Sequence, residues 1–390
     1  MMKKIGIVTV YTGFNYGSSL QAYASKKYYE KLGFKSEVLS YSSSLVKGRD
    51  IRLEKLVIMF LRTFWRPNLL KKTFLTYKKS LDKKIILESK YKFFKFYEEY
   101  LQPHKMNKKE MKTYGKEKNV FAVICGSDQI WNATSIYVDP FYYLRYFPRE
   151  KRIAYAPSFG KKEIPEYNKK IITKYLNEIN YLSIRELEGE KIIKELINKK
   201  AEVLIDPTLL LDKNEWKNVY GNERLIEEKY ILFYFLDIPK EHTIDNLKKI
   251  SQILNKKIIV IPNLLEEFKI IDEKLESFNA GPLEFLNLID NAEFICTDSF
   301  HGMLFSINFN KPFYVFERNY GVASKQSGRI SSMLEILNLK KYFITESDKI
   351  VEIDLNLNWE EVNIELKKQR EKSKQYLLNC FQKIGEKNAE

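Results

Sequence analysis

Four short polar clusters stand out in the sequence, because each directly follows an apolar run of strand type and carries side chains that can bind a ligand. In open α/β sheets the ligand crevice lies beyond the carboxyl ends of the strands, so these clusters are candidates for a shared site. The first, residues 12–19, includes Asn15 and Gly17. Its glycines allow close approach of the backbone, and the following helix offers N–H groups to a sugar or an anion. The alternative is an ordinary glycine-containing turn.

The second cluster, residues 125–132, combines a hydroxyl, a carboxylate, two amides and an indole. Asp128 and Gln129 are suited to bidentate hydrogen bonds with neighbouring sugar hydroxyls, and Ser127 adds a further polar group. Trp131 would offer an apolar face to a pyranose ring. This chemistry predicts a sugar site. The alternative is a helix start capped by Asp128, with Trp131 in the core.

The third cluster places Arg185 beside Glu186 at the end of a predicted strand. A guanidinium can bind a carboxylate or a phosphate through two parallel hydrogen bonds. Arg185 is therefore a candidate anion ligand, although an Arg–Glu pair in this position is also common as a surface ion pair.

The fourth cluster, residues 296–302, holds His301 at the predicted N-terminus of a helix. Together with Asp298, Ser299 and the N–H groups of that helix end, an imidazole here is suited to acid–base chemistry beside an anion. The alternative is a structural histidine whose hydrogen bonds are satisfied by its neighbours.

Alternating strand and helix patterns supply the framework for these clusters. The predicted strands are 5–10, 121–125, 153–156, 181–184 and 203–205 in the first half and 230–236, 257–262, 294–297 and 312–316 in the second. Helices are predicted after the first strand and near 163–179, 187–198, 241–254, 282–291, 302–308 and 327–338. This alternation predicts an α/β protein with parallel sheets and right-handed crossovers.

A length of 390 residues allows two or three domains. We predict an N-terminal α/β domain of residues 1–211 and a C-terminal one of residues 212–390, joined between 211 and 228. A long charged helix at 359–387 is expected to pack back across this joint.

The composition indicates a folded protein without a metal site. Hydrophobic residues make up 44% of the chain, and its three cysteines and three histidines show no disulfide or metal-ligand spacing. No targeting segment or membrane-spanning run is recognisable, so we expect a cytoplasmic protein.

The positive charge is concentrated in one insert. Residues 47–118 contain 21 basic and 8 acidic residues, which is 13 of the net +15. Its first predicted helix has an apolar stripe opposite a basic face. The stripe is Leu53, Leu56, Val57, Phe60, Leu61 and Phe64, and the basic face is Arg52, Lys55, Arg62 and Arg66. We favour packing of this stripe on the core, and contact with an anionic membrane surface is the alternative. Nucleic-acid binding is not expected, because no recognition motif accompanies the charge.

Taken in order, the clusters resemble the polysaccharide pyruvyl transferase family. The matching segments are 15–21 (NYGSSLQ), 126–131 (GSDQIW), 183–186 (SIRE), 206–208 (DPT), 281–286 (GPLEFL), 297–302 (TDSFHG) and 328–330 (GRI). The resemblance implies two Rossmann-like domains facing each other across a cleft, as in GT-B glycosyltransferases. It also implies transfer of the pyruvyl group of phosphoenolpyruvate to a sugar of a cell-surface polysaccharide or its precursor, as a cyclic ketal with release of phosphate.

The resemblance assigns roles to particular residues. Arg185 matches a phosphoenolpyruvate-binding arginine, and His301 matches the essential histidine. Many members carry an Arg-x-His triplet where this chain has Ser299-Phe300-His301. The missing cation is then expected from Arg329 or Lys325.

In this scheme the C-terminal domain binds the donor and the N-terminal domain binds the acceptor. His301 donates a proton to the enol methylene, and Asp128 or Asp298 accepts the proton of the sugar hydroxyl. No cofactor besides phosphoenolpyruvate is expected, and a lipid-linked acceptor would give the basic insert a membrane partner.

Two other functions are compatible with the sequence. A GT-B glycosyltransferase would use a nucleotide sugar and release a nucleoside diphosphate. A non-catalytic sugar-binding homologue would keep the crevice but not turn over, and the departure at Ser299 is the feature that raises this alternative.

Overall fold

The computed structural model describes residues 2–41, 51–64, 87–261, 268, 271, 275–318, 328–355 and 357–387. In these residues the strands are β1 (Lys4–Val8), β2 (Lys35–Tyr41), β3 (His104–Met106), β4 (Val120–Gly126), β5 (Arg152–Tyr155), β6 (Ser183–Ile184), β7 (Glu202–Val203), β8 (Tyr230–Tyr234), β9 (Lys257–Val260), β10 (Glu276–Ser277), β11 (Phe294–Thr297), β12 (Phe313–Phe316) and β13 (Phe343–Ile344). The α-helices are α1 (Tyr16–Lys31), α2 (Ile51–Phe64), α3 (Leu87–Phe96), α4 (Lys108–Tyr114), α5 (Glu166–Leu176), α6 (Leu187–Ile197), α7 (Lys213–Tyr220), α8 (Glu241–Leu254), α9 (Pro282–Asn291), α10 (Phe300–Asn308), α11 (Gly328–Ile336) and α12 (Trp359–Lys387).

The first sheet has five parallel strands in the order β3-β2-β1-β4-β5. Its strands β1, β4 and β5 confirm the predictions near 5–10, 121–125 and 153–156. The sequence pattern does not predict β2 or β3. Strand β2 carries exposed and half-buried polar residues, and β3 is only three residues long. The basic insert, residues 47–118, therefore begins after β2 and contains β3.

The second sheet has six parallel strands in the order β10-β9-β8-β11-β12-β13. Strands β8, β9, β11 and β12 confirm the four strands predicted in the second half. Their nearly continuous burial explains the strength of the sequence signal, since parallel strands are covered on both faces. The predicted α/β fold with parallel sheets in two domains is therefore confirmed.

Strands β6 and β7 form a separate parallel pair rather than joining the first sheet as full strands. A single bridge from Ile153 to Tyr181 attaches this pair to the edge of the first sheet. The arrangement places Arg185, immediately after β6, against the loops that follow β4.

Helix α1 forms much of the contact between the two halves. The Tyr16 ring stacks on Phe285 of α9 with centroids 4.5 Å apart and planes 1° apart, and its hydroxyl donates to the Ala280 carbonyl at 3.0 Å. Buried aromatic packing of this kind holds the loop after β1 against the second half.

The C-terminal helix α12 packs on the first sheet. Phe381 lies 4.9 Å from Phe34, between ring centroids, and Tyr376 donates to the Ala154 carbonyl at 2.9 Å. The chain therefore returns to its N-terminal half, as expected from the sequence. Helix α12 thus packs on the first half, although the predicted C-terminal domain of residues 212–390 includes it. The proposed boundary near 211–228, where α7 lies, stays a prediction.

The first helix of the basic insert, α2, does not pack as we favoured. Arg62, expected on the solvated basic face, donates to the Ile136 carbonyl at 2.6 Å and to Asn168 Oδ1 at 3.0 Å. The four stripe residues whose side chains are described, Val57, Phe60, Leu61 and Phe64, instead face outward, with Phe60 67% exposed. The inner face can be polar because Arg62 satisfies carbonyl and amide oxygens there. No helix among the described residues is both long and apolar enough to span a bilayer.

Candidate active site

A buried ion pair between Arg185 and Asp206 forms the centre of the site. Arg185 Nη1 donates to Asp206 Oδ2 at 2.6 Å, and neither side chain has exposed surface. Ser127 Oγ donates to the same oxygen at 2.6 Å. The backbone N–H and hydroxyl of Thr208 donate to the other oxygen at 3.0 and 2.8 Å. Four donors therefore fix this carboxylate, and the carboxylate fixes one edge of the guanidinium.

These donors keep Asp206 ionised. Burial alone would raise the pKa of its carboxyl, but contact with His301, the charge of Arg185 and the Ser127 hydroxyl lower the pKa well below the ordinary value. A permanent negative charge consequently lies beneath the histidine.

His301 lies in the first turn of α10 and is 6% exposed. Its Nε2 is 3.6 Å from Asp206 Oδ2, slightly beyond hydrogen-bond distance. Ser299 caps the helix by accepting a hydrogen bond from the Gly302 N–H at 3.3 Å. The cap and the carboxylate therefore set the position of the imidazole.

The loop after β1 and the first turn of α1 reach His301 from the other half of the molecule. The backbone at Gly17 is so close that a Cβ atom there would overlap the imidazole, which explains why glycine occupies the position. Asn15 caps α1 by accepting from the Ser18 N–H at 3.1 Å, and the Ser18 hydroxyl donates to Asp128. The ends of β1, β4, β6 and β11 thus contribute to one polar centre.

Asp128 occupies a left-handed backbone conformation with φ of 60°. A non-glycine residue in this region is uncommon and is often held there by functional surroundings. Burial raises the pKa of its carboxyl, but the charges of His301 and Arg185 and the Ser18 hydroxyl outweigh that effect and lower it. Asp128 is therefore an ionised carboxylate beside the histidine.

Arg329 supplies a second guanidinium, on a half-buried side chain. The Cζ atoms of Arg185 and Arg329 lie 4.4 and 5.4 Å from the centre of the Phe300 ring. In the amide orientation that satisfies both side chains, Gln129 accepts from Arg329 Nη1 and Nη2 at 2.7 and 2.8 Å. Burial, with the nearby charge of Arg185, lowers the pKa of Arg329 to about 9. Two like charges are therefore held close together, which favours an anionic ligand.

Several buried polar atoms of this centre have no hydrogen-bond partner among the residues described. They are Arg185 Nε and Nη2, Arg329 Nε, His301 Nε2 and Glu186 Oε2. An unsatisfied buried group costs about 1–3 kcal/mol, and more if it is charged. Free donors on two arginines are groups suited to binding an anion.

A small opening leads to Arg329. Its volume is only about 10 Å³, and it is lined by Gly160, Lys161, Lys162, Glu186, Glu188, Gly328 and Arg329. Two lysines and two glutamates therefore surround the outer side of Arg329.

Trp131 does not line the site as we predicted. The indole is 1% exposed, stacks on Tyr143 with centroids 5.2 Å apart, and donates to the Tyr142 carbonyl. It leaves no face for a pyranose ring, so the core alternative describes this tryptophan. Burial of this large apolar ring instead stabilises the core of the first half.

The other predicted acceptor residues lie at the centre but are already engaged. Ser127 contacts Asp206, Gln129 contacts Arg329, and Asn15 caps a helix. Their arrangement builds the site, and the acceptor contacts expected of them stay predictions.

Of the remaining predicted residues, some lie at the site and others stabilise the backbone around it. Asp298 accepts from the N–H groups of Leu236 and Asp237 at 2.6 and 3.1 Å, and burial raises its pKa to about 6 although Arg318 lowers it. Ser299 is occupied as a helix cap. Lys325 lies outside the described residues, whereas Arg329 is at the site.

Three residues of the centre had no predicted role. Asp206 and Phe300 lie within motifs that carried the family resemblance, and Glu186 was considered only as a surface partner of Arg185. Glu186 is in fact buried and accepts from Ser158 Oγ and the Phe159 N–H at 3.0 and 2.9 Å. The signal that could have identified Asp206 is an aspartate directly after a predicted strand.

Comparison with known families decides the classification. The polysaccharide pyruvyl transferase family model matches residues 15–320. The chain belongs to this family. The matched range includes Arg185, Asp206 and His301, and it ends before Arg329. No curated protein matches the sequence.

Three solved structures show weak structural similarity to this family member. The glycosyltransferase SnogD from Streptomyces nogalater has a TM-score of 0.47 at 9% identity, covering 97% of this chain and 99% of its own. MurG from Acinetobacter baumannii has a TM-score of 0.43 at 12% identity, with coverage of 98% and 99%. UDP-N-acetylglucosamine 2-epimerase from Rickettsia bellii has a TM-score of 0.43 at 11% identity, with coverage of 98% of both chains.

Proposed function

We propose that the protein transfers the pyruvyl group of phosphoenolpyruvate to a saccharide, forming a cyclic ketal and releasing phosphate. The observation that carries the proposal is the pair of guanidiniums of Arg185, which is buried, and Arg329, which is half-buried, with unpaired N–H groups near His301. Phosphoenolpyruvate bears a carboxylate and a phosphate, and two fixed guanidiniums match two anionic groups. Membership of the family supports the same reaction.

The reaction begins with protonation of the donor. His301 gives a proton to the enol methylene, which becomes a methyl group, and positive charge develops on the adjacent carbon and its oxygen. A saccharide hydroxyl attacks that carbon, and its proton passes to Asp128. Asp128 suits this step because its pKa is lowered and it is ionised before the reaction.

Phosphate leaves in the second stage. The bond between the pyruvyl carbon and the phosphate oxygen breaks, and a second hydroxyl of the saccharide attacks the same carbon. Of the two hydroxyl protons released, one replaces that given by His301 and the other leaves with phosphate. Arg185 and Arg329 stabilise the charge that accumulates on the departing group.

Asp206 acts through the histidine in this scheme. Its carboxylate faces Nε2 of His301 at 3.6 Å, and a small closure would bring the two groups into hydrogen-bond contact. Such contacts are often long in ligand-free sites and tighten on binding. We therefore assign Asp206 the role of positioning the imidazole and stabilising its protonated form.

A donor comparison tests the proposed function. The purified protein is incubated with carbon-labelled phosphoenolpyruvate and a panel of free, nucleotide-linked and lipid-linked saccharides. We expect labelled pyruvyl ketal in the product by mass spectrometry, with one phosphate released per ketal. Release of nucleoside diphosphate from UDP- or GDP-sugars, without consumption of phosphoenolpyruvate, would establish the glycosyltransferase alternative. Binding of donor and saccharide without turnover would instead establish the non-catalytic one.

We further propose that the protein works at the cytoplasmic face of an anionic membrane, where a lipid-linked acceptor would be available. Val57, Phe60 and Leu61 of α2 are each more than half exposed, within an insert that carries most of the net charge. Apolar side chains beside basic residues are typical of helices that lie in the membrane interface.

Vesicle binding tests this location. We expect the protein to sediment with vesicles containing phosphatidylglycerol at low ionic strength and to dissociate as salt rises. The triple variant Val57→Ser, Phe60→Ser, Leu61→Ser should lose this binding, because each buried apolar side chain contributes about 1.5–3 kcal/mol. A matched variant replaces Ile238, Val351 and Leu355, which are exposed outside the insert, and should bind as wild type does. Equal binding by both triple variants would contradict the proposal. Arg62 is unsuitable for this test because its guanidinium is hydrogen-bonded to Ile136 and Asn168 within the protein.

A further inference from the structure

A groove at the rim of the first sheet lies next to the polar centre, and we infer that it binds the saccharide acceptor through at least two sugar rings. This inference rests on the proposed function, because it supplies the acceptor site that Trp131 does not provide. The groove is bounded by the loop after β1 and by the helical segment 87–102. Its principal side chains are Phe14, Phe94, Tyr97, Glu98, Gln102 and Lys105.

The size of the groove suits an oligosaccharide. Its volume is about 720 Å³. Pockets for small molecules generally occupy about 300–1,000 Å³ and hold drug-sized ligands. The groove therefore has the size of a site for a ligand as large as a disaccharide, whereas the opening toward Arg329 is much smaller.

One side of the groove is aromatic. Phe94 is 53% exposed and meets Phe14 edge to face, with ring centroids 5.4 Å apart. Tyr97 meets Phe94 edge to face at 6.3 Å. A sugar ring has an apolar face of C–H groups, and exposed aromatic carbon in a concave site can cover it.

The other side offers hydrogen-bonding groups. The side chains of Glu98 and Gln102 make no hydrogen bond within the part of the chain that the structure describes. A carboxylate and an amide can together accept and donate several hydrogen bonds to neighbouring hydroxyls. This combination with the aromatic side is the chemistry of a carbohydrate site.

The backbone fixes the groove in advance. Gly13 and Phe14 both have positive φ, 86° and 53°, and an aromatic residue in that conformation is strained. On the opposite side, Tyr97–Leu101 is a π-helical turn that ends at Gln102, with φ of 47°. The Tyr97 hydroxyl joins the two sides through Ser19, 3.4 Å away. A preformed surface reduces the entropy lost when a ligand binds.

The groove and the polar centre share one loop. Phe14 lines the groove, and the chain then reaches Gly17, which abuts His301, and Ser18, which donates to Asp128. Ser18 lies four positions after Phe14, a distance of at most about 14 Å even when the chain is extended. A saccharide lying along the groove can therefore present hydroxyls to Asp128 while its other rings stay on the aromatic side.

Two pairs of matched variants test the groove. Phe94→Ala removes an aromatic wall, and its control Tyr91→Ala removes an exposed ring of the same helix that does not line the groove. Glu98→Gln removes the carboxylate, and its control Glu99→Gln changes the neighbouring acid, which contacts Lys95. We expect Phe94→Ala and Glu98→Gln to raise the acceptor KM about tenfold, equivalent to ~1.4 kcal/mol, with the phosphoenolpyruvate KM unchanged. Both controls should stay within twofold of wild type.

Binding without phosphoenolpyruvate separates this inference from the proposed function. Saturation-transfer NMR is recorded with lactose, mannobiose and N,N′-diacetylchitobiose as probes. Binding that Phe94→Ala abolishes and Tyr91→Ala retains supports the groove even if no pyruvyl transfer is detected. Pyruvyl transfer that Phe94→Ala and Tyr91→Ala affect equally would overturn the groove and leave the function standing. Failure of wild type to bind any probe would also overturn it. Melting temperatures of all variants provide the folding control.

Discussion

Replacing His301 with alanine should lower turnover by about 10²–10⁴-fold, the range that general acid–base catalysis contributes. The imidazole lies between the ionised Asp206 and Gly17 in the first turn of α1, and its Nε2 has no hydrogen-bond partner among the described residues. In the proposed mechanism the enol methylene receives its proton from this side chain. A solvent-derived proton is a poor replacement in a buried site.

Binding measurements should show that the loss is chemical. Because Arg185 and Arg329 hold the donor anions, His301→Ala should keep phosphoenolpyruvate affinity within a few-fold of wild type. His242→Ala is the matched control, since that histidine lies partly exposed on α8, and it should retain full turnover. Turnover of His301→Ala within tenfold of wild type would remove this residue from the mechanism.

Asp206→Asn distinguishes positioning from structure. The amide keeps the size of the side chain but removes the negative charge that faces the imidazole. A change in the pH dependence of kcat, with the protein still folded, is the signature expected of a residue that acts through His301. Because Arg185 then lacks its counter-charge, some loss of stability is expected in either case. An unchanged pH dependence in the folded variant would show that Asp206 serves only the buried network.

The sequence predicts the framework well where burial is continuous. Strands β4, β8, β11 and β12 are apolar along their length, since both faces of a parallel sheet are covered. Strand β2 lacks this signal because polar residues occupy its exposed positions. The helices that begin near polar clusters were recognisable from the same alternation.

The sequence predicts which loops form the site, but it does not predict which side chains contact each other there. The clusters containing Asp128, Arg185 and His301 do meet, because the carboxyl ends of neighbouring parallel strands share an edge. The direction of each side chain depends on packing that spacing does not determine. Trp131 packs inward on Tyr143, and Asp298 turns toward backbone N–H groups of the second half.

Helix α2 shows the same limit on the surface. An amphipathic pattern predicts that a helix has two different faces, and it does not determine which face meets the protein. Here Arg62 finds oxygen partners inside, while Phe60 faces outward. A single favourable set of hydrogen bonds therefore reverses the expected orientation.

Arg185→Lys should weaken phosphoenolpyruvate binding by about 10–100-fold while the protein stays folded. Alanine at this position would leave Asp206 as an uncompensated buried charge, which typically costs about 3–5 kcal/mol of folding stability. Lysine keeps a positive charge near Asp206, at 2.6 Å in the native ion pair, and so separates binding from folding. It cannot reproduce the planar fork of the guanidinium.

The size of the effect follows from the donors that are lost. Arg185 uses Nη1 for Asp206 and Ser127, whereas Nε and Nη2 have no partner in the described residues and remain for a ligand. Each hydrogen bond to a charged group contributes about 1.5–3 kcal/mol, and every 1.4 kcal/mol changes affinity tenfold. The expected 10–100-fold loss therefore corresponds to about one such bond, because the lysine ammonium can still donate to the ligand. Calorimetric titration with phosphoenolpyruvate measures the change, and Arg224→Lys, at an exposed arginine, is the matched control. If a folded Arg185→Lys protein binds phosphoenolpyruvate as tightly as wild type, these N–H groups do not hold the donor and the anion site must be built from Arg329 without its neighbour.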